Sequence, residues 1–118
     1  MNIFDFGLPA LEAVTYPGLL NTFINYGAGL PNCGYYKDQF GIVYLMGMIA
    51  PGISGQSVFI LPAGYRPLGI RGFSIFHGGG DPTLDAWVQI QANGNVNCGW
   101  AGAVPQMALD GVMFRAGT

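Results

Sequence analysis

From Ile42 to Ala50 the chain reads Ile-Val-Tyr-Leu-Met-Gly-Met-Ile-Ala, nine residues without a charged or amide side chain. A strand that meets the core on one face and water on the other alternates apolar with polar residues. This stretch does not. In an extended conformation Val43, Leu45 and Ile49 share one face, and Tyr44, Met46 and Met48 share the other. Both faces need cover, and in a chain of 118 residues the cover expected for the second face is another copy of the same protein. Tyr44, Met46 and Met48 are therefore the candidate contact between copies. A charged turn, Lys37-Asp38-Gln39, separates this strand from a short aromatic one that begins at Tyr35 and Tyr36.

The length sets one domain with room for a real core. Half of the residues are apolar and only 8% are charged, against about 25% in ordinary soluble domains. So sparse a charge protects poorly against association, which fits a surface meant to associate. The cations Lys37, Arg66, Arg71 and Arg115 are spread along the sequence and leave no basic run, so neither nucleic acid nor an anionic membrane is an expected partner. The first residues lack the cationic and long apolar parts of a signal peptide, and the apolar run that ends at Pro51 has about half the length of a membrane span. The expectation is a protein made in a cytoplasm, with Cys33 and Cys98 as buried thiols rather than a disulfide.

Residues 1–17 stand apart. Ile3, Phe4, Phe6 and Leu8 are apolar without strand or helix rhythm, and Pro9 and Pro17 interrupt the segment. They read as an arm anchored on a neighbour, with a frayed terminus as the alternative. From residue 18 the pattern is β: strands over 20–26, 35–36, 42–50, 56–61, 69–77, 85–91, 95–100 and 110–115, separated by Gly/Pro punctuation. Around Asn93-Gly94, Val88, Ile90, Val96, Cys98 and Trp100 fall inward, and Trp87, Gln89, Gln91, Asn95 and Asn97 outward. The Asn-Gly pair supplies two positive-φ residues for a tight hairpin. The fold class is all-β, an antiparallel sandwich or jelly roll.

No motif points to an enzyme. His77-Gly78-Gly79-Gly80 looks like the oxyanion loop of α/β-hydrolases, but no G-x-S-x-G elbow accompanies it; Gly52-Ile53-Ser54-Gly55-Gln56 ends in the wrong residue. The single histidine and two distant cysteines do not make a metal set, and Asp81, Asp85 and Asp110 stand where aspartate serves turns. No catalytic residue, metal or cofactor is assigned. Outward Trp87, with Asp85 and His77 close in sequence, is a candidate glycan contact; packing of Trp87 on a loop or another copy is the alternative.

Four segments in order carry a resemblance. They are Gly18-Leu-Leu-Asn-Thr-Phe-Ile-Asn-Tyr-Gly27, Gly34-Tyr-Tyr-Lys-Asp-Gln-Phe-Gly-Ile-Val43, Phe59-Ile-Leu-Pro-Ala-Gly-Tyr-Arg-Pro67 and Asp110-Gly-Val-Met-Phe-Arg-Ala116. Together they resemble the C-terminal head domain of bacteriophage tail-fibre, baseplate and minor structural proteins, over about Pro17 to the C-terminus. The resemblance implies a homotrimer of β-sandwiches on the virion surface, often with host glycans bound at the outer end or between subunits. Members usually follow a long shaft, whereas seventeen residues precede the head here. That departure suggests a capsid decoration (cement) protein: residues 18–118 form the knob, and residues 1–17 reach the major capsid protein through Ile3, Phe4, Phe6 and Leu8. The alternative is a tail-tip or baseplate head in which His77, Asp85 and Trp87 meet a host-surface glycan.

Overall fold

The computed structural model describes residues 11–79 and 85–117. Ten strands occur among them: β1 (Ile24–Asn25), β2 (Gly34–Lys37), β3 (Ile42–Met46), β4 (Met48–Ala50), β5 (Gln56–Ile60), β6 (Arg71–Ser74), β7 (Ala86–Ile90), β8 (Asn95–Trp100), β9 (Met107–Ala108) and β10 (Met113–Arg115). All pairings are antiparallel, and the described residues include no helix. A four-stranded sheet runs β5-β8-β7-β6, and two three-stranded sheets run β10-β3-β2 and β1-β4-β9.

The inward residues of all three sheets meet in one core. Val43, Leu45 and Ile49 pack with Val58, Phe59, Val88, Ile90 and Val96. The arrangement is sandwich-like: each sheet has one apolar face to hide, and facing another sheet hides it. Each such side chain contributes roughly 1.5–3 kcal/mol by leaving water.

Three local features depart from the expected strands. Residues 42–50 do not form one strand. Gly47, with φ of 102°, ends β3 and begins β4, which pair into different sheets, yet the in–out alternation runs through the break. The expected strand over 20–26 shrinks to β1, because Asn21 and Thr22 both adopt positive φ in a tight turn closed by the Phe23 N–H to the Leu20 carbonyl, 3.0 Å. Gly52 lies against that turn so closely that a Cβ there would meet the Phe23 nitrogen and the Asn21 carbonyl oxygen. The expected strand over 69–77 stops at Ser74, and His77 instead bridges to Met107 of β9, a strand too short to show a rhythm.

The β7–β8 hairpin keeps its expected parity, with Val88, Ile90, Val96 and Cys98 buried. Trp100 is half-buried at the core's edge, edge-on to Phe23 at 5.9 Å. The turn differs in type. Only Gly94 has positive φ; its N–H donates to the Gln91 carbonyl (2.9 Å), and the Asn93 Oδ1 accepts the Asn95 N–H (3.1 Å). A type I turn followed by a left-handed glycine replaces the two-residue hairpin. Cys33 and Cys98 are free and buried, and burial pushes both thiols up to about 12. Thr15 pairs with Tyr35 through both backbone bonds, so the chain is fixed to the body upstream of residue 18.

Candidate interaction surfaces

The outward face of β3 and β4 follows from register. Tyr44 lies opposite Tyr36 on one side and Met113 on the other; Ile42 lies opposite Arg115, and Ala50 opposite Ile24. Opposed residues project to the same side of a sheet, so Tyr36, Ile42, Tyr44, Met46, Met48 and Met113 form one apolar strip across the Gly47 joint, with Arg115 beside Ile42 on the same face. Tyr36 and Tyr44 stack at 5.0 Å with 15° between their planes. Tyr44, Met46 and Met48 are each only partly buried, and Met113 is 50% exposed. The three residues predicted for a copy-to-copy contact are thus brought onto one face. Tyr36 and Met113 extend it; their part depends on which strands pair, which the sequence does not state.

One end of the strip is fixed by Asp38. Its Oδ1 accepts the N–H groups of Phe40 (2.9 Å) and Ile42 (3.0 Å), and its Oδ2 accepts the Tyr44 hydroxyl (2.9 Å). These bonds to the ionised form, the Ile42 N–H first, hold the Asp38 carboxyl below its ordinary range; desolvation opposes them. The Tyr44 phenol is raised in turn, chiefly by its bond to Asp38. Because the folded carboxyl has the lower pKa, its stabilisation is present above the ordinary value of 3.8 and is lost as pH falls through the folded value. The raised phenol behaves oppositely, contributing below 10.0 and failing as pH rises through the folded value. The expected result is that the Phe40 and Ile42 amides lose hydrogen-exchange protection on acidification below the ordinary aspartate range. Asp38→Asn should remove that pH dependence; an unchanged acid profile in the variant would refute the assignment.

The four-stranded sheet presents a different outer face. Ser57 opposes Asn97, and Asn97 opposes Gln89; Ser74 opposes Trp87, and Trp87 opposes Gly99. The Ser57 hydroxyl lies 2.9 Å from the Asn95 amide and 2.8 Å from the Asn97 amide. Both contacts are to the Oδ1 acceptors, so the single hydroxyl proton is donated to one or the other. Trp87 remains 37% exposed, its ring lying where a Cβ of Gly99 would be.

Of the three candidate glycan residues, Asp85 and Trp87 flank Ala86 at the start of β7, both side chains exposed. His77 has left that sheet for its bridge to Met107, and its Nδ1 donates to the Gly78 carbonyl at 2.7 Å. The direct cross-strand partners of Trp87 are Ser74 and Gly99, and Asn97 lies one pair further along β8, opposite Gln89. Ile3, Phe4, Phe6, Leu8 and Asp81 lie outside the described residues. Among the described residues no group of three or more His, Cys, Asp or Glu side chains is placed to hold a metal ion, and no helix is long and apolar enough to cross a membrane. No protein-family model, curated protein or solved structure matches the chain.

Proposed function

We propose that this protein is a non-enzymatic structural component of a bacteriophage virion, a homotrimer of jelly-roll-like sandwiches that decorates the capsid surface. The observation that carries the reading is the apolar strip on β3 and β4, where a single chain leaves Tyr44, Met46 and Met48 only partly buried. A second copy seated there removes that surface from water, and each buried side chain contributes to association. The ordered motifs from Gly18 to Ala116 supply the phage assignment. A decoration protein that binds only the assembled shell stabilises it by mass action, without chemistry.

Light scattering on the purified protein is expected to give about three times the 12.5 kDa chain mass. The paired change Met46→Glu with Met48→Glu should yield a folded monomer, since it places like charges on both sides of the contact. A monomeric parent protein would sink the trimer. Quantitative mass spectrometry of purified particles then locates it: copies in proportion to the major capsid protein support decoration, a few copies move it to the tail or baseplate, and none removes it from the virion.

A second reading, a receptor-binding head for host-surface glycans, draws on the face that holds Trp87 beside Gln89 and Asn97. An exposed ring next to side-chain amides suits a sugar's apolar face and its hydroxyls. Loss of host-cell adsorption in Trp87→Ala, with assembly intact, would favour it over decoration alone.

A further inference from the structure

Lys37, Arg66, Arg71 and Arg115 are the four cationic side chains of the sequence, and the fold brings them to or beside two adjoining clefts. Arg71 begins β6 and Arg115 ends β10, each the edge strand of its own sheet. Between these edges lies a cleft of about 310 Å³ lined by both arginines with Leu68, Ala116 and Gly117. A neighbouring cleft shares Leu68 and Gly117 and is lined by Arg66 and Gly64. Lys37 donates from Nζ to the Gly64 carbonyl at 2.9 Å.

We propose that the cleft between Arg71 and Arg115 binds an oxyanion group, a carboxylate or a phosphate, on a ligand whose apolar part rests on Leu68. The four cations divide by what they already hold. Arg66 uses its Nε on the Leu61 carbonyl at 2.8 Å, and Lys37 is committed to Gly64, so both serve the corner that ends at Pro67. Arg71 makes only a long 3.5 Å contact to the adjacent Ile70 carbonyl, and Arg115 makes no side-chain hydrogen bond among the described residues. Among the described residues no carboxylate side chain lines either cleft.

The described acids stand away from the cleft lining. Both Glu12 oxygens lie within 3.0 Å of the Tyr65 hydroxyl, and Asp38 holds its own turn and Tyr44. Asp110 accepts the Gly47 N–H at the β3–β4 joint, and Asp85 precedes β7. Two like charges therefore line one cleft without a counter-charge among the described residues, an arrangement that an entering anion relieves. Guanidinium groups offer paired N–H donors that match the two oxygens of a carboxylate or phosphate. Leu68, 80% exposed between the two clefts, supplies the apolar contact.

The test is titration of the full chain with sodium phosphate and, separately, with sodium glucuronate, followed by the NMR signals of the arginine Nε–H groups and the Leu68 methyls. Saturable shifts of Arg71, Arg115 and Leu68 are expected. R71Q and R115Q should each weaken binding on the order of tenfold, the loss of one charge-assisted pair. The tighter of the two probes identifies the ligand as carboxylate- or phosphate-bearing. Shifts that never saturate with either probe, or saturable binding that survives the double R71Q/R115Q change, overturn the site. Both arginines are exposed, so the variants should keep the parent's circular dichroism. Should either fail to fold, R71K and R115K keep the charge but lose the fork; affinities equal to the parent's would overturn the proposal equally.

Discussion

Gly47→Ala is expected to cost roughly 3 kcal/mol or more, a large share of the stability of a domain this size. Two penalties coincide at this residue. Its φ of 102° lies where side chains are rarely tolerated. An added Cβ would also meet the backbone, the Asn32 carbonyl and the Cys33 nitrogen, the latter at 2.6 Å. Backbone cannot swing aside as a side-chain tip does. The residue is further tied by its N–H to Asp110 at 3.2 Å and by its carbonyl to the Leu109 N–H at 2.9 Å. Relief would therefore disturb β3, β4 and the turn before β10 together. Urea denaturation checks the prediction; a midpoint unchanged from the parent would mean that Gly47 is not the joint described here.

Phe59→Ala should cost roughly 3–5 kcal/mol, the usual loss for a buried phenylalanine, including the cavity left behind. Phe59 is 1% exposed and stacks on Tyr35 at 5.7 Å with 9° between the rings; Tyr35 then meets Tyr65 edge-on at 5.4 Å. Removing the first ring leaves the second without its flat partner. The adjacent Ile60 is 50% exposed, and Ile60→Ala should lie within about 0.5 kcal/mol of the parent. The contrast between neighbours is the sharper check. Equal losses in thermal or urea melts would contradict the placement of β5.

That placement shows what a sequence can and cannot convey. In Gln56-Ser57-Val58-Phe59-Ile60 a strict alternation cannot bury both Val58 and Phe59, yet both are buried. The register against β8 slips between Ser57 and Phe59, and the bulge turns two consecutive residues inward. The strand itself was readable from its apolar and β-branched residues; the slip was not, because it is set by the partner strand. The β7–β8 hairpin and the two faces of residues 42–50 were legible for the opposite reason, since side-chain period alone decides them. Thr22 concealed its turn, because a β-branched residue at positive φ runs against local preference and is held there by contact with Gly52. Of the candidate surfaces, the apolar strip could be read in part from Tyr44, Met46 and Met48. The gathering of Arg66, Arg71 and Arg115 could not, because it joins the edges of two sheets that no local pattern connects.

The two thiols give the fold a means of reporting on itself. Cys33 adjoins β2 in one sheet, and Cys98 lies in β8 of another, both within the shared core. With each held near 12, almost no thiolate exists at neutral pH, and the reactive form needs contact with water. An alkylating reagent is consumed only when the layers part. The rate at which the chain takes up such a label is therefore a count of how often its interior opens, read without adding any foreign probe.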